Sequence, residues 1–186
     1  VQRESGDING FIGLGKVANP RKIISVAYEE QKRYLRNFQS LQKGFIQFYG
    51  TEVQSVQAGW VESGDFSSID TLDMTTNPGR LLERQRYNAA NRQFIESGGT
   101  IRRVYMVRKS DLNRKRFKHD LVELYQQQSE MGVQLGLVIL DDLRQDYRKD
   151  FILYDDAIVL VEDQQASADY TLGRSTAYFG QEEIQQ

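Results

Sequence analysis

An α/β domain with a mixed sheet is the fold this chain of 186 residues predicts, and three observations carry it. Between Ile69 and Leu140, apolar stretches of strand length alternate with two segments of helical period. From Phe151 to Phe179 the apolar stretches follow one another across short polar turns, as hairpins do. From Pro20 to Tyr49 apolar residues recur at close to heptad spacing. The expected architecture is a parallel β-α-β-α-β core followed by antiparallel strands, flanked by helices and preceded by a long N-terminal helix.

Residues 1–19 are polar and glycine-rich and read as a flexible lead-in. They contain Gly10-Phe-Ile-Gly-Leu-Gly15-Lys16-Val17, close to the phosphate-cradling loop G-x-x-x-x-G-K-[ST]. The match fails where the chemistry needs it: Val17 has no hydroxyl for Mg²⁺, and no buried strand precedes the loop. Pro20 opens a helix, since its missing N–H costs nothing at the first helical position. That helix is expected over Arg21–Tyr49 within a segment 20–50, with Ile24, Tyr28, Leu35, Phe38, Leu41, Phe45 and Phe48 along one seam. Three uses fit it: a dimerising coiled coil, a signalling helix joining another module, or a helix laid along its own sheet.

The α/β domain is expected over residues 51–186. Thr51–Ser68 mixes strand and turn signals; Trp60, the only Trp, reads as a core or domain-junction anchor because its ring buries so much area. Ile69–Met74 alternates like a strand. Thr76 or Asn77 then caps a helix with Pro78 at its first position, running to about Ser97 and ended by Gly98-Gly99. Ile101–Val107 is the next strand. A helix region begins at Ser110 or Asp111, with Phe117, Leu121, Leu124, Gln128 and Met131 at seam spacing, and stops at Gly132. Val133–Leu140 is almost continuously apolar, which predicts a central strand. Asp141–Lys149 is a charged loop. The Phe151–Asp155 strand, the Asp155-Asp156 turn, the Ala157–Glu162 strand and a last strand near Tyr170–Phe179 complete the sheet.

Composition narrows the chemistry. The chain has no cysteine, which excludes disulfides, thiolate metal sites and a Cys nucleophile, and fits a reducing, cytoplasmic compartment. Its one histidine, His119, excludes a His-rich metal site within one chain. His119 and Asp120 are neighbours on a helix and are expected to point apart rather than form a dyad. A formal net charge of -2 supplies no global field for nucleic acid or anionic membrane. No apolar run approaches the roughly 20 residues that span a bilayer, so no membrane partner is expected.

Gly98-Gly99 before a strand, a helix ending in Met131-Gly132-Val133, and then the strand in Asp150–Asp156 together resemble one half of the phospholipase D-like fold over roughly Ser68–Phe179. That family's motif H-x-K-x-x-x-x-D is missing. An Asp at Asp155 puts Arg148 and Asp150 at the His and Lys places, and one at Asp156 puts Lys149 and Phe151 there. The resemblance therefore implies a catalytically empty relative, of the kind found as sensory or regulatory modules beside DNA-binding or signalling domains, and no catalytic residue is carried over.

Four aspartates, Asp141, Asp142, Asp155 and Asp156, could converge at strand ends, where two carboxylates hold Mg²⁺ or share acid–base work. Against that, Asp-Asp pairs form turns and caps through their own backbone. Arg80, Tyr154, Asp155, Tyr170 and Arg174 are the candidate ligand-binding residues, with Arg84 and Arg148 beside them. Arg80 stands in the first turn of its helix, and Arg174 with Tyr170 is expected to face the Asp155 edge. The basic segment 102–118 offers Arg108, Arg114 and Arg116 to a nucleic acid, because guanidinium forks match phosphate oxygens. Arg102 and Arg103, as strand neighbours, face opposite sides.

The leading expectation is a non-enzymatic sensory, regulatory or protein-interaction domain within a larger signalling or transcription-related protein. It needs no cofactor and no metal, and it pairs with a protein partner or with itself through the N-terminal helix. The alternatives are a Mg-dependent phosphodiesterase or nuclease-like enzyme using the Asp cluster, or a nucleic-acid-binding module.

Overall fold

The computed structural model describes residues 20–50, 52–63, 66–162 and 174–180. The Gly10–Val17 loop and Tyr170 lie outside them. The chain divides after Gln42 into two units.

The first unit's described part is helix α1, Pro20–Leu41. It starts at the proline, as expected, but does not reach Tyr49. Gly44 turns the chain at φ 82°, a left-handed backbone that glycine adopts without a Cβ clash. Phe45–Tyr49 is then strand β1 of the second unit. The sequence misled here because apolar residues at 45 and 48 satisfy a helical seam as well as a strand. Tyr28, Leu35, Phe38 and Leu41 of α1 are exposed.

The second unit, Lys43–Gln186, is α/β with one seven-stranded mixed sheet. After β1 come α2 (Glu52–Ser63), β2 (Ser68–Met74), α3 (Pro78–Leu82), α4 (Gln85–Glu96) and β3 (Thr100–Val107). They are followed by α5 (Lys115–Glu130), β4 (Gln134–Ile139), β5 (Phe151–Tyr154), β6 (Ile158–Glu162) and β7 (Arg174–Phe179). The strand order is β1-β7-β6-β5-β2-β3-β4. The β2, β3 and β4 strands are parallel, joined by helical crossovers, and β5, β6, β7 and β1 are antiparallel. The division into parallel and antiparallel halves is the one the connection lengths predict.

Three corrections bear on the site. Residues 52–63, where strand and turn signals mixed, form α2, which buries Val53, Gln57, Ala58 and Val61. The helix expected from Pro78 to Ser97 is broken at Glu83-Arg84. Asn77 caps α3 by accepting from the Arg80 N–H, and α3 ends after one turn and a half. Asn88 then donates its side-chain amide to the Leu81 and Leu82 carbonyls at 3.1 and 3.3 Å, supplying the freed end with partners. Strand β4 lies at the sheet edge, not its centre. Its apolar run reflects cover by α5 over one face, while Leu137 is exposed at the open side.

The core sits between one face of the sheet and the inner sides of α2, α4 and α5. Ile69, Ile101, Ile152, Tyr154, Leu160 and Ala177 meet Val61, Tyr87, Ala90 and Phe94 there. Trp60 anchors this core, as its size predicts: it packs edge-on against Phe48, Tyr154 and Phe179 with centroids 5.8, 5.3 and 6.4 Å away. The seam Phe117, Leu121, Leu124 and Gln128 of α5 is buried as the spacing requires.

Candidate functional site

Alternation along each strand sends Ile69, Thr71 and Asp73 of β2 to the helix-covered face, with Ile101, Arg103 and Tyr105 of β3 beside them. Leu72 pairs with Phe151 of β5, so the next position in that register sets Asp73 opposite Asp150. Phe151 pairs with Val161, and the Glu162 N–H donates to the Asp150 carbonyl at 3.0 Å. One row across β3, β2, β5 and β6 therefore reads Tyr105, Asp73, Asp150, Glu162, all facing the helices. Three acids stand on adjacent strands at the carboxyl ends of the parallel block.

The partners of this row are few. Asp150 accepts from the Met74 N–H at 3.2 Å, and Asp73 from the Thr75 hydroxyl at 2.8 Å. Glu162 accepts from the Gln57 side chain at 3.1 Å, and Gln57 is fully buried on α2. The break between α3 and α4 delivers Arg84, which donates to the Gln57 side-chain oxygen and lies over the Tyr87 ring at 4.7 Å. Burial, with the charges of Asp73 and Glu162, pushes the Asp150 carboxyl well above the usual carboxylate range despite the Arg84 charge. Burial and Asp73 push Glu162 up as well.

Polar groups in the same core are left without partners. Tyr105 and Tyr154 are both 0 % exposed; the Tyr154 hydroxyl and the Arg84 Nε meet no donor or acceptor among the described residues, and the Tyr105 hydroxyl has the Arg103 guanidinium beside it. Burial pushes the Tyr105 phenol up to about 12. One row further in, Arg103 is buried and donates to the Thr71 hydroxyl, the Gln128 side chain at 2.7 Å and the Tyr87 hydroxyl at 3.2 Å. An arginine buried with no carboxylate bonded to it is rare, and here neutral acceptors carry it.

The expected site residues fall out differently. Tyr154 belongs to the core, at the end of β5 away from Asp150. Asp155 occupies the turn at that same end of β5, with φ 47°. Its carboxylate accepts from the Ser67 and Ser68 N–H groups at 3.1 and 2.8 Å and from both hydroxyls. Burial opposes the charge, but these bonds hold the Asp155 carboxyl below the usual range. The turn-forming role weighed for Asp155 is what it does. Asp141 accepts from the Lys109 N–H at the far end of the parallel strands, so the four aspartates do not converge. Arg174 pairs with Tyr49 and precedes Ser175, the partner of Glu162, so it stands at the opposite end of the sheet from Asp155. Arg80 is exposed, and its N–H serves the Asn77 cap. Arg148 donates to the Leu143 and Asp141 carbonyls and ties down the charged loop.

Arg102 is exposed and paired with Asp70, opposite in face to Arg103, as alternation predicts. In the basic segment, Arg108 is exposed, Arg114 pairs with Asp111 at 3.1 Å, and Arg116 meets Asp120 at 3.6 Å. His119 is a surface residue, yet its Nδ1 lies 3.5 Å from an Asp120 oxygen, so the two do not point apart. Rotation about χ1 brings the flexible tips together although the Cβ atoms diverge. Among the described residues, His119, Asp120 and Glu123 are the group of three whose ligand atoms lie within 4.8 Å of one another.

Sequence reasoning missed Asp73, Asp150, Glu162, Gln57 and Arg103 as parts of one site. The signal was present for the acids: Asp73 is the last residue but one of an apolar strand, Glu162 ends another and Asp150 directly precedes a third, each in phase with residues that face the core.

No family model and no curated protein matches this chain. One similar solved structure, described as "Structure of TrmBL2, an archaeal chromatin protein, shows a novel mode of DNA binding", is 12% identical with a TM-score of 0.43. The match covers 89% of this chain and 60% of that one, so the chain spans under two thirds of its length. A likeness of that size carries no argument for fold or function. No described helix is long and apolar enough to cross a membrane.

Proposed function

We propose that this chain is a non-enzymatic sensory or regulatory domain, and that a small ligand acts at the row Asp73, Asp150 and Glu162. The observation that carries this reading is unsatisfied chemistry at the row: three carboxyls on adjacent strands, two of them held away from their ordinary ionisation, with the buried Tyr154 hydroxyl and Arg84 Nε left without partners in the same core. Unpaired buried polar groups cost about 1–3 kcal/mol each, a cost that a functional site retains. The place also fits. From β2 the chain runs to β3 and β4 on one side and then crosses to β5 on the other, and open α/β sheets put ligands outside the carboxyl ends of strands at such a switch.

Two features favour sensing over catalysis. Asp150 and Glu162 shift in the same direction, whereas an acid–base pair needs its two carboxyls driven apart. The one histidine is exposed on α5 beside Asp120 and Glu123, away from the row. Descent from a catalytically empty phospholipase D-like half stays a proposal of the same kind. Small-molecule panels read by thermal shift test the reading: a stabilising compound whose effect Asp150→Asn removes supports it. Metal-dependent cleavage of a phosphodiester, lost in Asp150→Asn, contradicts it.

Nucleic-acid binding is a second reading. Arg108, Lys109, Lys115 and Lys118 are exposed, with no acidic side-chain partner among the described residues. Salt-sensitive DNA binding weakened by Arg108→Ala would support it, since each lost phosphate contact lowers the salt slope by about one. Self-association through α1 has its own support in the exposed line Tyr28, Leu35, Phe38 and Leu41. Light scattering tests it: a mass independent of concentration and equal to one chain removes it.

A further inference from the structure

We infer that the ligand of the Asp73–Asp150–Glu162 row is a compact organic cation carrying several N–H donors, an ammonium or diammonium ion. The inference rests on the proposed ligand site and names its chemical class.

The charge of the row is incomplete. Asp73, Asp150 and Glu162 contribute three carboxyls from three adjacent strands. Two arginines oppose them without bonding to them: Arg84, held by Gln57, lowers Asp150 and Glu162, and the charge of Arg103, whose bonds go to Thr71, Gln128 and Tyr87, acts on Asp73. Burial first, and the neighbouring carboxylates after it, push Asp150 and Glu162 above the usual carboxylate range. A bound cation supplies the missing charge, and the row releases a proton to solvent as it enters.

A vacant hydrogen-bonding group agrees. The Tyr154 hydroxyl has no hydrogen-bond partner among the described residues, and Tyr154 is 0 % exposed. Burial, with Tyr87, pushes the Tyr154 phenol up, and the charges of Arg103 and Arg84 oppose it. A single metal ion fits less well. Among the described residues, the ligand atoms of Asp73, Asp150 and Glu162 do not converge within 4.8 Å of one another, as those of His119, Asp120 and Glu123 do. Spread acceptors suit spread donors.

Trp60 makes the test direct, because its ring lies 5.3 Å from Tyr154 and no other tryptophan competes with its signal. The full chain is titrated with 1,4-diaminobutane, MgCl₂ and the neutral polyol erythritol at pH 6, 7 and 8, by Trp60 fluorescence and calorimetry. Saturable binding of the diamine is expected. It should tighten with pH by up to about tenfold per unit for each proton released. It should weaken at least about tenfold in Asp150→Asn and in Glu162→Gln. Tyr154→Phe, which keeps the ring and its packing, should weaken it several-fold and guards against loss through misfolding. Binding that is absent, independent of pH, or unchanged in both carboxyl variants overturns the inference. Mg²⁺ binding that displaces the diamine also overturns it. A response to erythritol that Asp150→Asn abolishes, with none to the diamine, overturns the cation class while leaving the row as a ligand site.

Discussion

Strand β5 has an aspartate beyond each end, and the two are held in opposite ways. Asp155 turns the chain at φ 47° with its carboxylate surrounded by the N–H and hydroxyl groups of Ser67 and Ser68. Asp150, five residues earlier, has one backbone N–H and two acidic neighbours. Donors favour the ionised form of the first; burial and repulsion disfavour that of the second. An aspartate placed for the fold is satisfied by the fold, and one left unsatisfied by it is the better candidate for a ligand.

The largest expected effect breaks the satisfied end. Asp155→Ala leaves four donors without their acceptor and puts a Cβ without local hydrogen bonding at a positive φ. A loss of about 3 kcal/mol in urea denaturation at pH 7 is expected. A loss under about 1 kcal/mol would show that the turn does not depend on the carboxylate.

Replacing the other aspartate should do the reverse. Asp150→Asn removes a desolvated, repelled charge and should raise stability by about 1 kcal/mol at pH 8, measured the same way. A clear loss there would mean that Asp150 is paired more strongly than its neighbours allow.

The pH dependence separates the two ends by sign. The raised carboxyls of Asp150 and Glu162 contribute stability that is complete below the ordinary carboxylate range and is lost as pH rises through their folded values. The lowered carboxyl of Asp155 contributes stability present above the ordinary range and lost as pH falls through its folded value. Asp150→Asn should flatten the alkaline limb of the stability curve, and Asp155→Asn the acid limb. Both variants flattening the same limb would contradict the contrast.

The smallest effect is expected at the row's neutral edge. The Tyr105 hydroxyl has only the Arg103 guanidinium beside it, and Arg103 keeps its bonds to Thr71, Gln128 and Tyr87, so Tyr105→Phe should change stability by under about 1 kcal/mol while altering ligand response.

Much of the fold was legible because strand alternation and helix seams report which face is buried. The parallel half, the hairpin at Asp155-Asp156, the Asn77 cap and the α5 seam all follow from local spacing. The end of α1 and the break before Arg84 did not follow, because Phe45 and Phe48 suit two periods and Asn88 supplies the break's hydrogen bonds from the following helix. The site was harder still. Tyr154 could be named, but Asp73, Asp150 and Glu162 become neighbours only when β5 crosses to pair with β2, a pairing that no local pattern encodes. The attention that Asp155 drew was due to its conspicuous Asp-Asp pair, which marks a turn.

The contrast between the two ends can be read from one experiment: a carbon-13 NMR titration of the aspartate and glutamate side-chain carboxyls. The account expects Asp150 and Glu162 to titrate above the ordinary carboxylate range and Asp155 below it, with the first two moving down when 1,4-diaminobutane is added. Asp150 and Asp155 titrating together, both in the ordinary range and both indifferent to the diamine, would contradict it.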